Sequence, residues 1–145
     1  MADIAALELA RGQAYHAADA APLTSEQWTQ ISTNALGEQR AVLHPSMSLV
    51  SSRFPIVSAW KAFVAGEASE SGLAAFGAEA ALIVRPFLDV EVHALPAGGI
   101  ASLHALAHGA TIGEALSAGA DAAPEFDLAH NLSIIIGSGI VTALR

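Results

Sequence analysis

Residues 90–144 read VEVHALPAGGIASLHALAHGATIGEALSAGADAAPEFDLAHNLSIIIGSGIVTAL, and this stretch decides the fold. Val90, Val92 and Ala94 alternate with Glu91 and His93, the pattern of a strand with one buried and one wet face. Pro96 then opens a helix with Ile100, Leu103, Leu106 and Ala107 inward, and Gly109 stops it. Thr111 followed by Glu114 is a capping box for a second helix running to about Gly119. Asp127 caps a third, whose Leu128, Leu132, Ile135 and Ile136 share one face before Gly137-Ser-Gly139 ends it. Ile140 to Leu144 returns as a strand. The predicted order is therefore strand, three helices, strand.

Immediately upstream, Ala80 to Arg85 is rich in β-branched and aliphatic residues and pairs naturally with Asp89 to Leu95 across Pro86-Phe-Leu88, as a hairpin. Nearer the start, Ile4, Leu7, Ala10, Arg11, Ala14 and Tyr15 recur at helical spacing within Asp3 to Ala18. Thr24 and Gln27 form another capping box, for a short helix with Trp28 and Ile31, and Asn34 to Gly37 reads as a break. The apolar run from Arg40 to Ser52 is interrupted by His44-Pro45, which suits a bent or edge strand. Pro55 starts a helix over Ile56 to Phe63 with Ile56, Ala59, Trp60 and Phe63 as one stripe. The expected organisation is a helical lobe with an irregular strand at 1–65, a linker at 66–78, and a second lobe at 79–145. The fold class is α+β and mostly helical.

Composition narrows the chemistry. A chain of 145 residues with 53% hydrophobic content can bury a core without covalent staples. The absence of cysteine removes disulfides, thiolate metal sites and thiol nucleophiles, and the cytoplasm is the expected compartment. Met1-Ala-Asp-Ile lacks the pattern of a signal peptide, and no apolar run reaches spanning length. Net charge is −8, and between Pro86 and Leu144 every charged residue is acidic: Asp89, Glu91, Glu114, Asp121, Glu125 and Asp127. Such a surface repels polyanions, so nucleic acid and anionic membranes are poor partners, and a peptide or protein is the expected one.

The passage Leu103-His-Ala-Leu-Ala-His-Gly-Ala-Thr-Ile-Gly-Glu-Ala-Leu116, with Phe126-Asp-Leu-Ala-His-Asn-Leu132 and Gly139-Ile-Val-Thr-Ala-Leu144, resembles the helical succession of small winged-helix domains. It is most similar to the C-terminal domain of a bacterial family labelled as a DNA-binding domain, whose members partner multinuclear iron oxidases that modify ribosomally made peptides. Leu43-His-Pro-Ser46, Ser52-Arg-Phe-Pro55, Ala59-Trp60, Ala81-Leu-Ile-Val-Arg-Pro86 and Asp89-Val-Glu-Val92 extend the resemblance over nearly the whole chain. It implies a winged-helix-like second lobe, built from a hairpin, three helices and a short strand. Full-length members carry a further N-terminal helical domain, expected here to be absent. The same order resembles peptide-recognition elements in which a leader peptide adds to a strand edge and leans on the third helix. That likeness points to Glu91, His93, Asn131 and Ile135 as peptide-binding, and His130 beside Asn131 joins them as an exposed candidate on the same helix; the residues themselves form no catalytic constellation, and no cofactor or metal is expected. The alternative is a winged-helix transcriptional regulator, for which the helix 127–138 offers only His130 and Asn131 to bases and no cation to phosphates.

Other motifs have plainer readings beside the chemical one. His104 and His108 stand four apart on a helix, a spacing that suits a metal, yet Ala105 and Leu106 between them do not make an H-E-x-x-H pattern and no third ligand lies nearby in sequence. Surface or satisfied histidines are the simpler reading. His44-Pro45 suits a buried turn better than a site. Arg85 can hold an anion, or pair with Asp89 or Glu91. Ser138 between glycines lies at a helix end and lacks the context of a hydrolase elbow. Ile134 to Ile136 offers a seam for a homodimer.

Overall fold

The computed structural model describes residues 2–66 and 77–145; most of the expected linker at 66–78 lies outside them. Among the described residues the chain is α+β and mostly helical. In chain order it comprises α1 (Ala2–His16), α2 (Ser25–Thr29), α3 (Thr33–Leu36), β1 (Ala41–Leu43), β2 (Ser48–Ser52), α4 (Ile56–Val64), β3 (Glu79–Val84) and β4 (Glu91–Ala94). Then follow α5 (Gly99–Ala107), α6 (Ile112–Ala122), α7 (Leu128–Gly137) and β5 (Val141–Leu144).

The centre is a three-stranded antiparallel sheet in the order β2-β3-β4. Its middle strand is covered on both faces, which is why Ala81 to Val84 is a continuous apolar run rather than an alternating one. Ala81 and Ile83 point into one core with Leu7, Ala10 and Ala14 of α1 and Ile56 and Val57 of α4. Leu82 and Val84 point into the other, with Leu103, Leu106, Ile112, Ala115, Ile135, Ile140 and Val141. Helices thus sandwich the sheet.

The apolar run Arg40 to Ser52 breaks at His44-Pro45 into two strands that belong to different sheets. β1 pairs with β5 across a register shift at Val42/Leu43, and β2 pairs with β3. Both sheets therefore join residues on either side of the expected linker. The last strand is bonded to β1 and not to the β3–β4 hairpin, whose β3 side is taken by β2.

Helix boundaries follow local chemistry. Both capping boxes form, Thr24 with Gln27 and Thr111 with Glu114, and the Asp127 carboxylate accepts the His130 N–H at 3.0 Å. Four details differ from the expectation. The first is that α5 begins at Gly99 rather than Pro96, after a turn closed by the Gly99 N–H on the Pro96 carbonyl with Gly98 at φ 78°. Residues Thr33–Leu36 form a single helical turn rather than a break, because the Ser32 hydroxyl caps it by accepting the Ala35 N–H. Gly119 lies inside α6 rather than at its end. A Cβ there would collide with Ser102 Oγ and lie 2.9 Å from the Gly98 carbonyl, so this glycine serves the close approach of α6 to the turn before α5. On α4 the buried stripe is Ile56 and Val57 with Trp60 partly covered, while Phe63 is exposed. No helix of the described residues is long and apolar enough to cross a membrane.

Candidate functional site

In the sheet order β2-β3-β4, β4 is an edge strand. The Leu95 N–H donates to the Ala80 carbonyl at 2.8 Å, and these residues are directly opposite in the β3–β4 register. Antiparallel pairs alternate between bonded and non-bonded, so Glu91 and His93 face β3 with their backbone groups, whereas Val92 and Ala94 turn theirs outward. No hydrogen bond within the described residues reaches those outward groups of Val92 and Ala94. They form an open ladder.

Side chains divide the edge into two faces. Val90 and Val92 pack against the α1/α4 core, next to Trp60. Glu91 and His93 lie on the opposite face, with Nε2 of His93 at 3.0 Å from a Glu91 carboxylate oxygen and both side chains partly exposed. Just before the strand, Phe87 and Leu88 are 71% and 86% exposed, an unusual exposure for large apolar side chains. With Ala20, Ala21 and Pro86 they line an apolar shelf bordered by Asp19. Shelf and edge are continuous along the chain.

The loop carrying Phe87 is fixed from below by Arg85, which is buried. Its Nε donates to the Ala14 carbonyl at 3.0 Å, Nη2 to Ala17 at 2.7 Å, and Nη1 to Phe87 at 2.8 Å and to Asp19 at 2.8 Å. The guanidinium therefore caps the C-terminus of α1, where helix carbonyls lack partners and a cation is favoured. Its carboxylate partner is Asp19, not Asp89 or Glu91, because the side chain points across the sheet towards the end of α1.

Next to Arg85, the Ser46 hydroxyl accepts the Arg85 N–H at 2.8 Å and lies 2.8 Å from His44 Nδ1. The Ser46 N–H also donates to Nδ1 at 3.1 Å, which requires that nitrogen to be unprotonated and leaves Nε2–H to donate to the Ala20 carbonyl at 3.1 Å. Burial pushes the His44 pKa below its usual value, reinforced by the Arg85 charge, and opposed by the Ala20 carbonyl and by Asp19. A serine beside a histidine is a pairing used in nucleophilic chemistry, but here both are buried and their polar atoms are bonded within the fold. They pin the turn between the two sheets.

The implied peptide-binding residues are not all in one place. Glu91 and His93 meet at the edge of β4. His130 is exposed in the first turn of α7. Asn131 is buried, its amide donating to the Ala97 carbonyl at 3.2 Å and the Asp127 carbonyl at 2.9 Å, which ties α7 to the turn after β4. Ile135 belongs to the core, so the proposed dimer seam at Ile134 to Ile136 has its middle residue inside. Neither Asn131 nor Ile135 presents a surface to a ligand.

His104 and His108 are exposed, with ring centroids 6.3 Å apart, and His108 Nδ1 donates to the His104 carbonyl at 2.7 Å. Among the described residues no three metal-ligating side chains converge. The Ser138 hydroxyl is spent on the Ile134 carbonyl at 2.6 Å. Sequence reading missed the exposed Phe87 and Leu88 as part of a site; their signal was two large apolar residues in a hairpin connection that has no need of them. No protein-family profile, curated protein or solved structure matches this chain.

Proposed function

We propose that this protein is a non-catalytic cytoplasmic recognition protein that binds an extended peptide by adding it as a further strand beside β4. The observation that carries this reading is the open ladder of Val92 and Ala94, continuous with the apolar shelf of Phe87 and Leu88. Backbone bonds supply affinity that is indifferent to sequence, and the shelf supplies preference for an apolar anchor. Asp19, Asp89 and Glu91 along the same border favour a basic or neutral peptide over an acidic one. By the resemblance of its sequence, the peptide is a ribosomally made precursor, and an iron oxidase is the second partner.

Regulation of transcription through DNA has less support. The exposed start of α7 carries His130 beside Glu125 and Asp127, and no Lys or Arg lies between Pro86 and Leu144 to meet a phosphate.

The test is selection of random displayed peptides on the immobilised protein, followed by affinity measurement on an Ala94→Pro variant. Ala94 is exposed and its N–H points away from β3, so proline removes a donor from the edge alone. Enriched apolar, non-acidic peptides that lose affinity for the variant are expected. Peptides that bind both proteins equally, or no enrichment, refute the reading.

A further inference from the structure

We infer that, without a peptide, β4 pairs with β4 of a second copy of this chain across a two-fold axis at Val92. This goes beyond the peptide reading and does not depend on it, although both use one edge.

The register follows from parity and charge. Only residues with outward backbone groups can bond to a strand added at this edge, so Val92 and Ala94, with Val90 in line before them, must face one another in an antiparallel pair. Three symmetric registers form at least two such pairs. Pairing Val90 with Val92 of the other copy places Glu91 opposite Glu91, which repels. Pairing Val92 with Ala94 places His93 opposite His93, which gains nothing.

The remaining register pairs Val92 with itself and Val90 with Ala94. It sets Glu91 opposite His93 of the second copy, and His93 opposite Glu91, on the same face and at the closer, non-bonded positions. Within one chain these two groups already show that they fit, at 3.0 Å. Across the axis the same contact forms twice. The strand is thus self-complementary in hydrogen bonding, in the backbone and between the Glu91 and His93 side chains.

β4 is short, four residues with one charge at Glu91, but that charge finds its complement in this register. The strand has no lysine, no proline and no bulge, three of the devices by which edge strands avoid association. The peptide of the proposed function would compete with the second copy for Val92 and Ala94.

Sedimentation of the purified chain, without peptide, over about 10 µM to about 1 mM tests this. The wild type should show a monomer–dimer equilibrium. His93→Glu, which sets carboxylate against carboxylate twice, should weaken it about tenfold or more, and adding Glu91→Lys to it should restore it. Ala94→Pro should leave a monomer with an unchanged melting profile. A chain that stays monomeric throughout overturns the inference, as does a dimer indifferent to either His93→Glu or Ala94→Pro, or one not restored in the double variant. None of these results depends on whether a peptide binds.

Discussion

Replacing Arg85 with methionine keeps most of the stem's packing and removes the guanidinium. Three of its bonds go to carbonyls at Ala14, Ala17 and Phe87, and one to the Asp19 carboxylate. Hydrogen bonds from a charged donor contribute about 1.5–3 kcal/mol each. The Phe87 carbonyl belongs to an exposed residue and can turn to water, so its share is small. Ala14 is buried at the end of α1 and its carbonyl keeps only the long 3.3 Å bond from the Ala17 N–H; Ala17 itself is half-covered. The expected loss is about 3–5 kcal/mol, a large part of the roughly 5–15 kcal/mol typical of a domain. The Asp19 side chain is 93% exposed, so Asp19→Asn should cost only about 0.5 kcal/mol, as surface ion pairs do. Urea unfolding of the two variants measures the contrast. Equal losses would mean that the ion pair, and not the capping of α1, is what Arg85 provides, and the reasoning above would be refuted.

Three further outcomes follow from local geometry. Gly119→Ala should destabilise by about 1–3 kcal/mol through overpacking against Ser102, Phe126 and the Gly98 carbonyl, whereas Gly12→Ala, with open space around the new Cβ, should stabilise by about 0.5–1 kcal/mol; thermal melts read both signs. His44 is held neutral in the fold, so the unfolded chain takes up a proton first on acidification. Stability should be fully present above about pH 6.5 and fall as pH drops towards the lowered folded value, and urea midpoints for His44→Gln should lose that part of the pH slope. Thr111→Ala removes one half of the capping box of α6 and should cost about 1 kcal/mol by the same urea assay.

Local signals were readable in the sequence and long-range ones were not. The capping boxes at Thr24 and Thr111, the Asp127 cap, the hairpin over Ala80 to Leu95 and the break at His44-Pro45 each depend on residues within a few positions, and each has its structural counterpart. Choice of strand partner depends on the whole chain, so the pairing of β5 with β1 and of β2 with β3 had no local mark. The same limit applies to the site. Glu91 and His93 sit where alternation along a strand places them, but Asn131 is polar and on a helix, and only the positions of Ala97 and Asp127 reveal that its amide is already satisfied indoors. Gly119 looks like a helix stop until the neighbouring turn is seen against it. Arg85 likewise found its partners some seventy positions away in sequence, at the end of α1, rather than among the nearby carboxylates.

The claim that the open side of β4 is the binding surface is tested most directly by amide hydrogen exchange, residue by residue, with and without a selected peptide. The protein should be kept dilute so that self-pairing does not contribute. The N–H groups of Val92 and Ala94 should slow markedly on peptide addition, while those of Glu91 and His93, already bonded to β3, should hardly change. Protection confined to α7, or spread evenly over both sets, would contradict the account.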